Sequence, residues 1–593
     1  SSDLEKDSRK SQILDYLPEH SDGKGAFYRL SGGSLGGKAR GLAFARYMIQ
    51  DETLSKQFPN MKIRIPKTAV IGTDEFDRFM KDNNLWEKTL KAKSDKIILK
   101  YFLKSELSID LRVKLHAYLQ VNTFPLAVRS SSLLEDSQYQ PLAGAYETFM
   151  LSNSHSDIQV KLEALCVAIK KVFASTFYQN AKSLMKKTNH RIEEEKMAVI
   201  IMEISGQDHE GKFYPTISGV AQSYNYYPVS YMERDEGVAY LALGFGRTIV
   251  DGEKCLRISP KYPGILPQFY SIRTMIQNSQ HQFYALDLKK QNEKSDLNAY
   301  KLSVAEKDGV LKWLGSVISS EDQIVRDSLG YAGTRIVSFA PILNWKLIPL
   351  PEMIEALLKI AKASMGCPVD IEFAVNIKQN ESVQAEFSLL QIKPMSMTNT
   401  QTSALLTSHK DELFCKSHVT LGNGNISDIK DIIFVRPETF DTSKTQEIAR
   451  EISELNKQFK SNQYVLAGPG RWGSADHWLG IPVEWEEISK AQVIIEIGMK
   501  DQPIDPSFGS HFFQNLTSLR VGYFTVDAKR KDDFIDNSWL KSCEIHQKGE
   551  YVDWIKLDQE LQISIDGMTG IGTIYKPISP ELELMDEDES PGI

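Results

Sequence analysis

Glycine, lysine and arginine residues in the N-terminal half of the chain have types and spacing suited to binding phosphate. The segment SGGSLGGKARGL places five glycines and Lys38 in the ten residues from Gly32 to Gly41, next to a helical pattern. Glycine lets backbone N–H groups approach phosphate oxygens, and lysine supplies a mobile positive charge. Ala39 stands where a Walker A loop needs Ser or Thr, so the segment is not that motif. A flexible loop accounts for the same residues equally well.

A second cationic segment, AVRSSSLLEDSQYQPLAGAYETFML, begins as a strand-like run that ends at Arg129. Arginine can hold phosphate oxygens through two parallel hydrogen bonds. The acidic residues Glu135 and Asp136 follow three serines, where they could also cap a helix. Taken singly, Lys38 or Arg129 fits a surface ion pair; taken together, they predict a nucleotide-phosphate site.

These segments together resemble the N-terminal ATP-grasp domain of the phosphoenolpyruvate synthase and pyruvate phosphate dikinase family. The Arg129 segment is similar to that family's AVRSS...ED...(F/L)AG.YETF signature, and GGKARGL is similar to its opening loop. Further similar stretches follow in the same order, namely KMAVIIMEI, SGVAQS, ALGFGRTIVDGE and DIEFAV...LLQIKPM. The resemblance covers about residues 22 to 396.

The resemblance implies a site that binds ATP and Mg²⁺, with Lys38 and Arg129 also acting in catalysis. The implied nucleotide-binding residues are Gly36, Gly37, Lys38, Arg129, Glu372, Gln391 and Lys393. Glu372 and Gln391 match the metal-ligand positions, and a carboxylate and an amide oxygen are ligands that suit Mg²⁺. Lys393 stands where the family usually has arginine, and it offers a point charge in place of a planar fork.

The order of elements predicts the fold class and the domains. Short apolar runs alternate with helical stretches such as IQVKLEALCVAIKKVFAS, which indicates an α/β protein. We expect a polar linker or docking segment over 1–21, an ATP-grasp domain of two subdomains over 22–400, a smaller α/β swivelling-like domain of the phosphohistidine type over 401–580, and an acidic disordered tail over 581–593. The roughly 200 residues after Pro394 cannot hold both a swivelling domain and a TIM barrel of about 250 residues. Pyruvate is therefore not supported as the acceptor.

A histidine of the C-terminal part is a candidate phosphoryl carrier. In the family a swivelling domain carries a phosphorylated histidine, and the string Gly509-Ser510-His511 lies between two strand-like runs, as that histidine does. His511 is therefore the implied catalytic nucleophile, and a core histidine is the alternative. His409 ranks below it, and the segment around His418 resembles the first strands of a swivelling domain.

The segment GPGRWGSADHWLGIPVEW concentrates glycines and tryptophans around Arg471 and Trp472. A glycine-rich backbone with an arginine and an aromatic face could hold a phosphorylated or carbonyl-bearing acceptor. A rigid loop packed by tryptophan side chains is the alternative. Both interpretations stay open.

Composition excludes several classes of protein. The net charge of -8, without a basic stripe, argues against a nucleic-acid partner. No run approaches the roughly 18 apolar residues of a membrane span, and the five cysteines include no CxxC pair. We therefore expect reduced thiols and a cytoplasmic protein without a membrane partner.

The sequence as a whole predicts an ATP-dependent phosphotransferase of the dikinase type. The resemblance implies that ATP is split to AMP and phosphate, and that an unidentified small molecule or protein is the acceptor. The alternative is a catalytically weak module that senses ATP and serves regulation or assembly. A homodimer and an upstream regulatory domain are both compatible with the sequence.

Overall fold

The computed structural model describes most of the chain, in two compact units, Ser1–Ser396 and Met397–Ile593. The residues described are 14–16, 27–49, 52–132, 146–186, 195–225, 233–251, 253–269, 271–289, 297–319, 322–379, 383–395, 412–460, 463–474, 478, 480–498, 521–527, 529–530, 532–566 and 569–577. Helices and strands are mixed throughout both units, so the predicted α/β class is confirmed, and no TIM barrel occurs among the described residues. The residue limits and the functions expected for the separate domains stay predictions.

The described residues of the first unit form the following α-helices. They are α1 Gly36–Met48, α2 Glu52–Gln57, α3 Thr73–Asp82, α4 Trp86–Lys91, α5 Asp95–Lys104, α6 Ile109–Val121, α7 Ile158–Ser175, α8 Gln179–Lys186, α9 Arg247–Val250, α10 Ile272–Asn278, α11 Leu302–Lys307, α12 Ala340–Leu343 and α13 Leu350–Met365.

The strands of the first unit form several sheets. They are β1 Leu14–Asp15, β2 Phe27–Arg29, β3 Met61–Arg64, β4 Thr68–Ile71, β5 Leu126–Ser132, β6 Thr148–Leu151, β7 Met197–Glu203, β8 Gln207–His209, β9 Lys212–Tyr214, β10 Ile217–Gln222, β11 Val238–Leu243, β12 Leu256–Ile258, β13 Gln282–Asp287, β14 Leu297–Lys301, β15 Gly315–Ile318, β16 Val325–Arg326, β17 Thr334–Val337, β18 Val369–Gln379 and β19 Val383–Pro394.

Two of these sheets carry the predicted site. The described strands of one follow the order β1-β2-β4-β7-β5-β6, and those of the other follow β12-β11-β10-β18-β19-β3. Smaller sheets have the orders β14-β13-β9-β8 and β16-β15-β17. One hydrophobic core extends from α1 to β19 and includes residues of both larger sheets, for example Ile200, Leu241 and Phe387. The strands that end near the site are therefore fixed by a common core.

Helix α1 lies against both sheets. Its buried residues Ala39, Leu42, Ala45 and Met48 recur every three positions, which gives the helix one apolar face. The helix begins at Gly36, so part of the segment expected to be a glycine-rich loop forms its first turn. Lys38 is consequently a helical residue.

The second unit is built on one mixed sheet and the helices α14 Thr445–Gln458 and α15 Asn537–Ser542. Its strands are β20 Leu413–Ser417, β21 Thr420–Leu421, β22 Asn423–Val435, β23 Tyr464–Pro469, β24 Arg471–Trp472, β25 Gly480–Ile481, β26 Ala491–Ile497, β27 Gly522–Val526, β28 Phe534–Ile535, β29 Ile545–Lys548, β30 Val552–Asp566 and β31 Ile571–Tyr575. The main described order is β21-β27-β26-β23-β22-β30-β31-β20-β28, with β29 paired to β30, while β24 and β25 form a separate two-stranded sheet.

Strands β22, β23, β26 and β27 run parallel to one another, and α14 connects β22 to β23. Residues such as Val465, Ala467, Val493 and Ile495 place one face of these strands in a hydrophobic core. Because the strands are parallel, their carboxyl ends meet at the same edge of the sheet.

The five cysteines of the chain are free thiols.

Candidate active site

Arg129 connects three of the predicted site residues. It lies on β5, and its Nη2 donates to Gln391 Oε1 at 2.7 Å and to Glu372 Oε2 at 3.2 Å. Glu372 on β18 and Gln391 on β19 are directly opposite each other in the antiparallel register. The Arg129 side chain is only 15% exposed, so the contact is mostly screened from water. The fold thus brings together residues that are far apart in the sequence.

Lys38 adds a second cation beside the same strand. It lies in the first turn of α1, is 9% exposed, and donates from Nζ to the Ser130 hydroxyl at 3.3 Å. Ser130 is the residue that follows Arg129 on β5. Two cations from different elements are therefore held at adjacent residues of one strand, Arg129 on β5 itself and Lys38 through Ser130.

Two glycines allow α1 to approach the strands that carry the site. A Cβ atom on Gly36, whose φ is +76°, would lie 1.7 Å from the Ser131 carbonyl oxygen. A Cβ atom on Gly41 would lie 2.5 Å from the Ile392 carbonyl oxygen. Gly36 thus permits contact with β5, and Gly41 permits contact with β19. Gly37 is half-buried in the same first turn.

Ser131 fixes the start of α1 on β5. Its hydroxyl accepts the Ala39 backbone N–H at 3.0 Å and donates to the Leu35 carbonyl oxygen at 2.8 Å. Ser131 thus bridges the Ala39 N–H and the Leu35 carbonyl, which are four residues apart, and holds the first turn of α1 against β5. Lys38 is positioned as a result.

Lys393 lies opposite Asp370 in the register of β18 and β19. Asp370 is buried, and its Oδ2 accepts a hydrogen bond from Gln222 Nε2 at 3.0 Å. Burial raises the pKa of Asp370 above its ordinary value, and the positive charge of Lys393 opposes that rise. Lys393 therefore balances a buried carboxyl group two residues from Glu372.

The oxygen donors at the site fit a magnesium ion that also binds a nucleotide. Within the described residues, no group of three or more His, Cys, Asp or Glu side chains could hold a metal alone. Glu372 and Gln391 supply two hard oxygen atoms, and Arg129 Nη2 already holds both toward one point. Mg²⁺ commonly binds through one or two protein ligands, with water and phosphate oxygens as the rest. The donor set therefore suits Mg²⁺ in company with a phosphate ligand.

The Arg471–Trp472 segment of the second unit is held firmly in place. Trp472 is 1% exposed; its backbone N–H donates to Glu496 Oε1 at 3.0 Å, and its indole Nε1 donates to the Ile495 carbonyl at 3.1 Å. A buried Trp472 agrees with one of the two interpretations of this segment, the rigid loop packed by tryptophan side chains. Arg471 is half-buried.

Glu496 is a residue that sequence reasoning missed. It lies on β26, is fully buried, and burial raises its carboxyl pKa to about 7 against the opposing effects of Tyr523, the Trp472 N–H and Arg471. The signal available in the sequence was a lone acidic residue in the apolar strand QVIIEIG. Such a perturbed carboxyl group is typical of functional sites.

His418 of the second unit is held by a buried carboxylate. Its Nδ1 lies 2.7 Å from Asp533 Oδ1, which also accepts the His418 backbone N–H at 2.9 Å. The Asp533 side chain is fully buried. A carboxylate in this position orients an imidazole ring. His511, His409, Glu135 and Asp136 lie outside the described residues, so their predicted roles stay predictions.

The sequence of residues 33–412 matches the family described as "Pyruvate phosphate dikinase, AMP/ATP-binding domain". The chain belongs to this family. The predicted family is thereby confirmed, and the pyruvate phosphate dikinase AMP/ATP-binding domain includes Lys38, Arg129, Glu372, Gln391 and Lys393 within its limits.

A curated relative adds to this assignment. The "Uncharacterized phosphotransferase YvkC" of Bacillus subtilis (strain 168) is 30% identical over 191 residues, which are 32% of this chain and 20% of the relative. The chain thus spans about a fifth of the length of that relative. Within the described part of this dikinase-family chain, no helix combines the length and apolar composition needed to cross a membrane.

Proposed function

We propose that the chain is an ATP-dependent phosphotransferase of the dikinase type. It splits ATP to AMP and phosphate, and it passes a phosphoryl group through a histidine to a small-molecule or protein acceptor. The observation that carries this proposal is the contact of Arg129 Nη2 with both Glu372 and Gln391. That contact unites the predicted phosphate-binding cation with the predicted metal ligands.

In this proposal the chain's own residues bind and orient the phosphates. Lys38 and Arg129 neutralise charge on the phosphate oxygens, and their low exposure strengthens that interaction because little water competes. Glu372 and Gln391 would hold Mg²⁺, which would supply neutralisation of the phosphate charge when it is bound. Lys393 adds a positive charge next to these ligands.

His511 is the proposed phosphoryl carrier. An imidazole near neutral pH is a competent nucleophile. His418, whose ring Asp533 orients, provides a matched histidine of the same unit for comparison. The acceptor would receive the phosphoryl group at the second unit or on another protein.

The experiment uses Mg-ATP labelled at the β or γ phosphate with the full chain. The proposal predicts AMP and free phosphate as products, together with acid-labile label on the protein. That label should persist in His418→Asn and disappear in His511→Asn. Formation of ADP alone, or of no product, contradicts the dikinase assignment.

A second candidate function is an ATP-sensing module. Lys393, opposite the buried Asp370 in place of the family's usual arginine, favours it, because a lysine gives one point charge where arginine gives two directed donors. This function predicts tight ATP binding without AMP, ADP or labelled protein. The labelling experiment therefore separates the two functions.

A further inference from the structure

The carboxyl ends of β23 and β26 form an edge in the second unit at which polar groups gather. Strand β23 ends at Pro469 and is followed by Gly470, Arg471, Trp472 and Gly473, while β26 carries Glu496 as its penultimate residue. Gly470 and Gly473 have φ values of +79° and +71°, a left-handed backbone that favours glycine. Open α/β sheets bind ligands outside the carboxyl ends of their parallel strands. The position is therefore one at which sheets of this kind bind ligands.

Two buried oxygen atoms at this edge lack hydrogen bonds. Among the described residues, Glu496 Oε2 and Thr525 Oγ1 are buried and have no hydrogen-bond partner. Glu496 and Thr525 are neighbours in the parallel register of β26 and β27, so their side chains share one face of the sheet. A buried polar atom without a partner lowers stability, so two at one place indicate a role other than stability.

The cation beside them is also unsatisfied. Within the described part of the chain, the Arg471 guanidinium makes no hydrogen bond or ion pair, although its charge acts on Glu496. A half-buried arginine of this kind suits a carboxylate or a phosphate, which accepts two parallel hydrogen bonds. Glu496 in turn suits a hydroxyl group, because a carboxylate accepts its hydrogen bond and its proton.

We propose that Arg471 and Glu496 form the acceptor site of the second unit, for a small hydroxyl compound that carries a carboxylate or a phosphate group. Arg471 binds the anionic group, and Glu496 binds the hydroxyl. The proposal that Arg471 binds an anion depends only on the structure of this sheet edge, whereas the transfer step rests on the proposed function.

The transfer step balances without any further reactant. The acceptor oxygen forms a bond to phosphorus, and the phosphorus–nitrogen bond of the phosphorylated histidine breaks with its electron pair on the ring nitrogen. The hydroxyl proton moves to the Glu496 carboxylate and then to water. Burial raises the pKa of Glu496 to about 7, which suits a group that gains and loses a proton near neutral pH.

The first arm of the test measures binding to the full chain by calorimetry, without nucleotide. The probes are D-glycerate, glycerol 3-phosphate and glycerol, which share a three-carbon hydroxyl skeleton and differ in the anionic group. We expect one or both anionic probes to bind and glycerol not to bind. Arg471→Gln should weaken that binding by about tenfold or more, whereas the exposed Arg450→Gln should not. Absence of binding by both anionic probes, or equal binding by Arg471→Gln, overturns the proposal.

The second arm follows phosphoryl transfer from labelled Mg-ATP to the probe that binds. Glu496→Gln keeps an oxygen for the Trp472 N–H, so it preserves the loop while removing the proton acceptor. We expect the rate with the wild-type chain to rise with pH through about 7, and the rate with Glu496→Gln to fall by about a hundredfold and to lose this pH dependence. Glu487→Gln, which changes a half-buried carboxyl group elsewhere in the unit, should keep the wild-type dependence of rate on pH.

A Glu496→Gln variant with the full rate and the same pH profile shows that Glu496 only holds the loop, and it overturns the transfer step. The two arms separate this proposal from the proposed function. If ATP is not cleaved at all, the proposed function fails, while probe binding without nucleotide still decides whether the site exists.

Discussion

Arg129 Nη2 lies 2.7 Å from Gln391 Oε1, although the two residues are 262 positions apart in the sequence. The strands that carry them belong to different sheets, and α1 contacts both strands through glycine at close range. In the proposed function, this arrangement makes Arg129 the residue that connects the proposed phosphate-binding cations with the proposed metal ligands.

Replacing Arg129 by alanine should therefore weaken binding of Mg-ATP by about tenfold to a hundredfold. The variant loses the proposed phosphate-binding cation and also the ion pair between Arg129 and Glu372. Calorimetric titration of the full chain with Mg-ATP measures the effect. Arg335→Ala is the control. It removes an arginine that pairs with Glu306 and lies on β17, outside the two sheets that carry the site, so this variant should bind Mg-ATP like the wild-type chain. Equal affinities of Arg129→Ala and the wild-type chain contradict the site assignment.

Gly41→Ala should reduce both stability and ATP affinity. The added Cβ atom would lie 2.5 Å from the Ile392 carbonyl oxygen, so α1 must move away from β19 and take Lys38 with it. Overpacking of this kind costs about 1–3 kcal/mol of unfolding free energy. Urea unfolding and ATP titration measure the two effects. Gly264→Ala is the matched control, because its Cβ atom would meet nothing within 4 Å; similar behaviour of the two variants contradicts this explanation.

The sequence named Arg129, Glu372 and Gln391 as site residues from local motifs, and the structure brings these three side chains into contact. Lys38 lies in a glycine-rich segment and Arg129 at the end of an apolar run, so each carried a signal within a few neighbouring positions. The attachment of the first turn of α1 to β5 was different, because it depends on Ser131, which lies 92 residues from Ala39 in the sequence. Local patterns could not show that contact.

Glu496 illustrates the limit of local reasoning more strongly. Its role depends on the strand register with Thr525 and on the N–H of Trp472, and both are set by the pairing of β23, β26 and β27. Trp472 was noticed in the sequence, but its role was ambiguous there, because an aromatic residue in a glycine-rich segment can either contact a ligand or pack in a hydrophobic core. Only burial shows that its indole packs inside the unit.

Glu496→Gln should stabilise the second unit at alkaline pH. Burial raises the pKa of Glu496 from an ordinary value of 4.5 to about 7, so the folded chain binds this proton more tightly than the unfolded chain. As pH rises between these values, the unfolded chain loses the proton first, and the free energy of unfolding falls until about pH 7. The difference between the unfolded and folded pKa values corresponds to about 3 kcal/mol of unfolding free energy. Glutamine does not ionise, so the variant avoids this loss.

Urea unfolding followed by tryptophan fluorescence measures this difference, since five of the eight tryptophans lie in residues 397–593. The variant should match the wild-type chain near pH 4.5 and exceed its stability at pH 8. A difference that is the same at both pH values contradicts the pKa assignment.

The most direct test of the nucleotide site is the effect of Mg²⁺ on ATP affinity in Glu372→Gln. The variant keeps an oxygen atom but loses the negative charge that a metal needs at this position. We predict that Mg²⁺ raises the ATP affinity of the wild-type chain by about tenfold or more, and that Glu372→Gln loses this increase. Glu386→Gln, which alters a β19 carboxylate paired with Arg64, should keep it. An undiminished Mg²⁺ effect in Glu372→Gln would contradict the account.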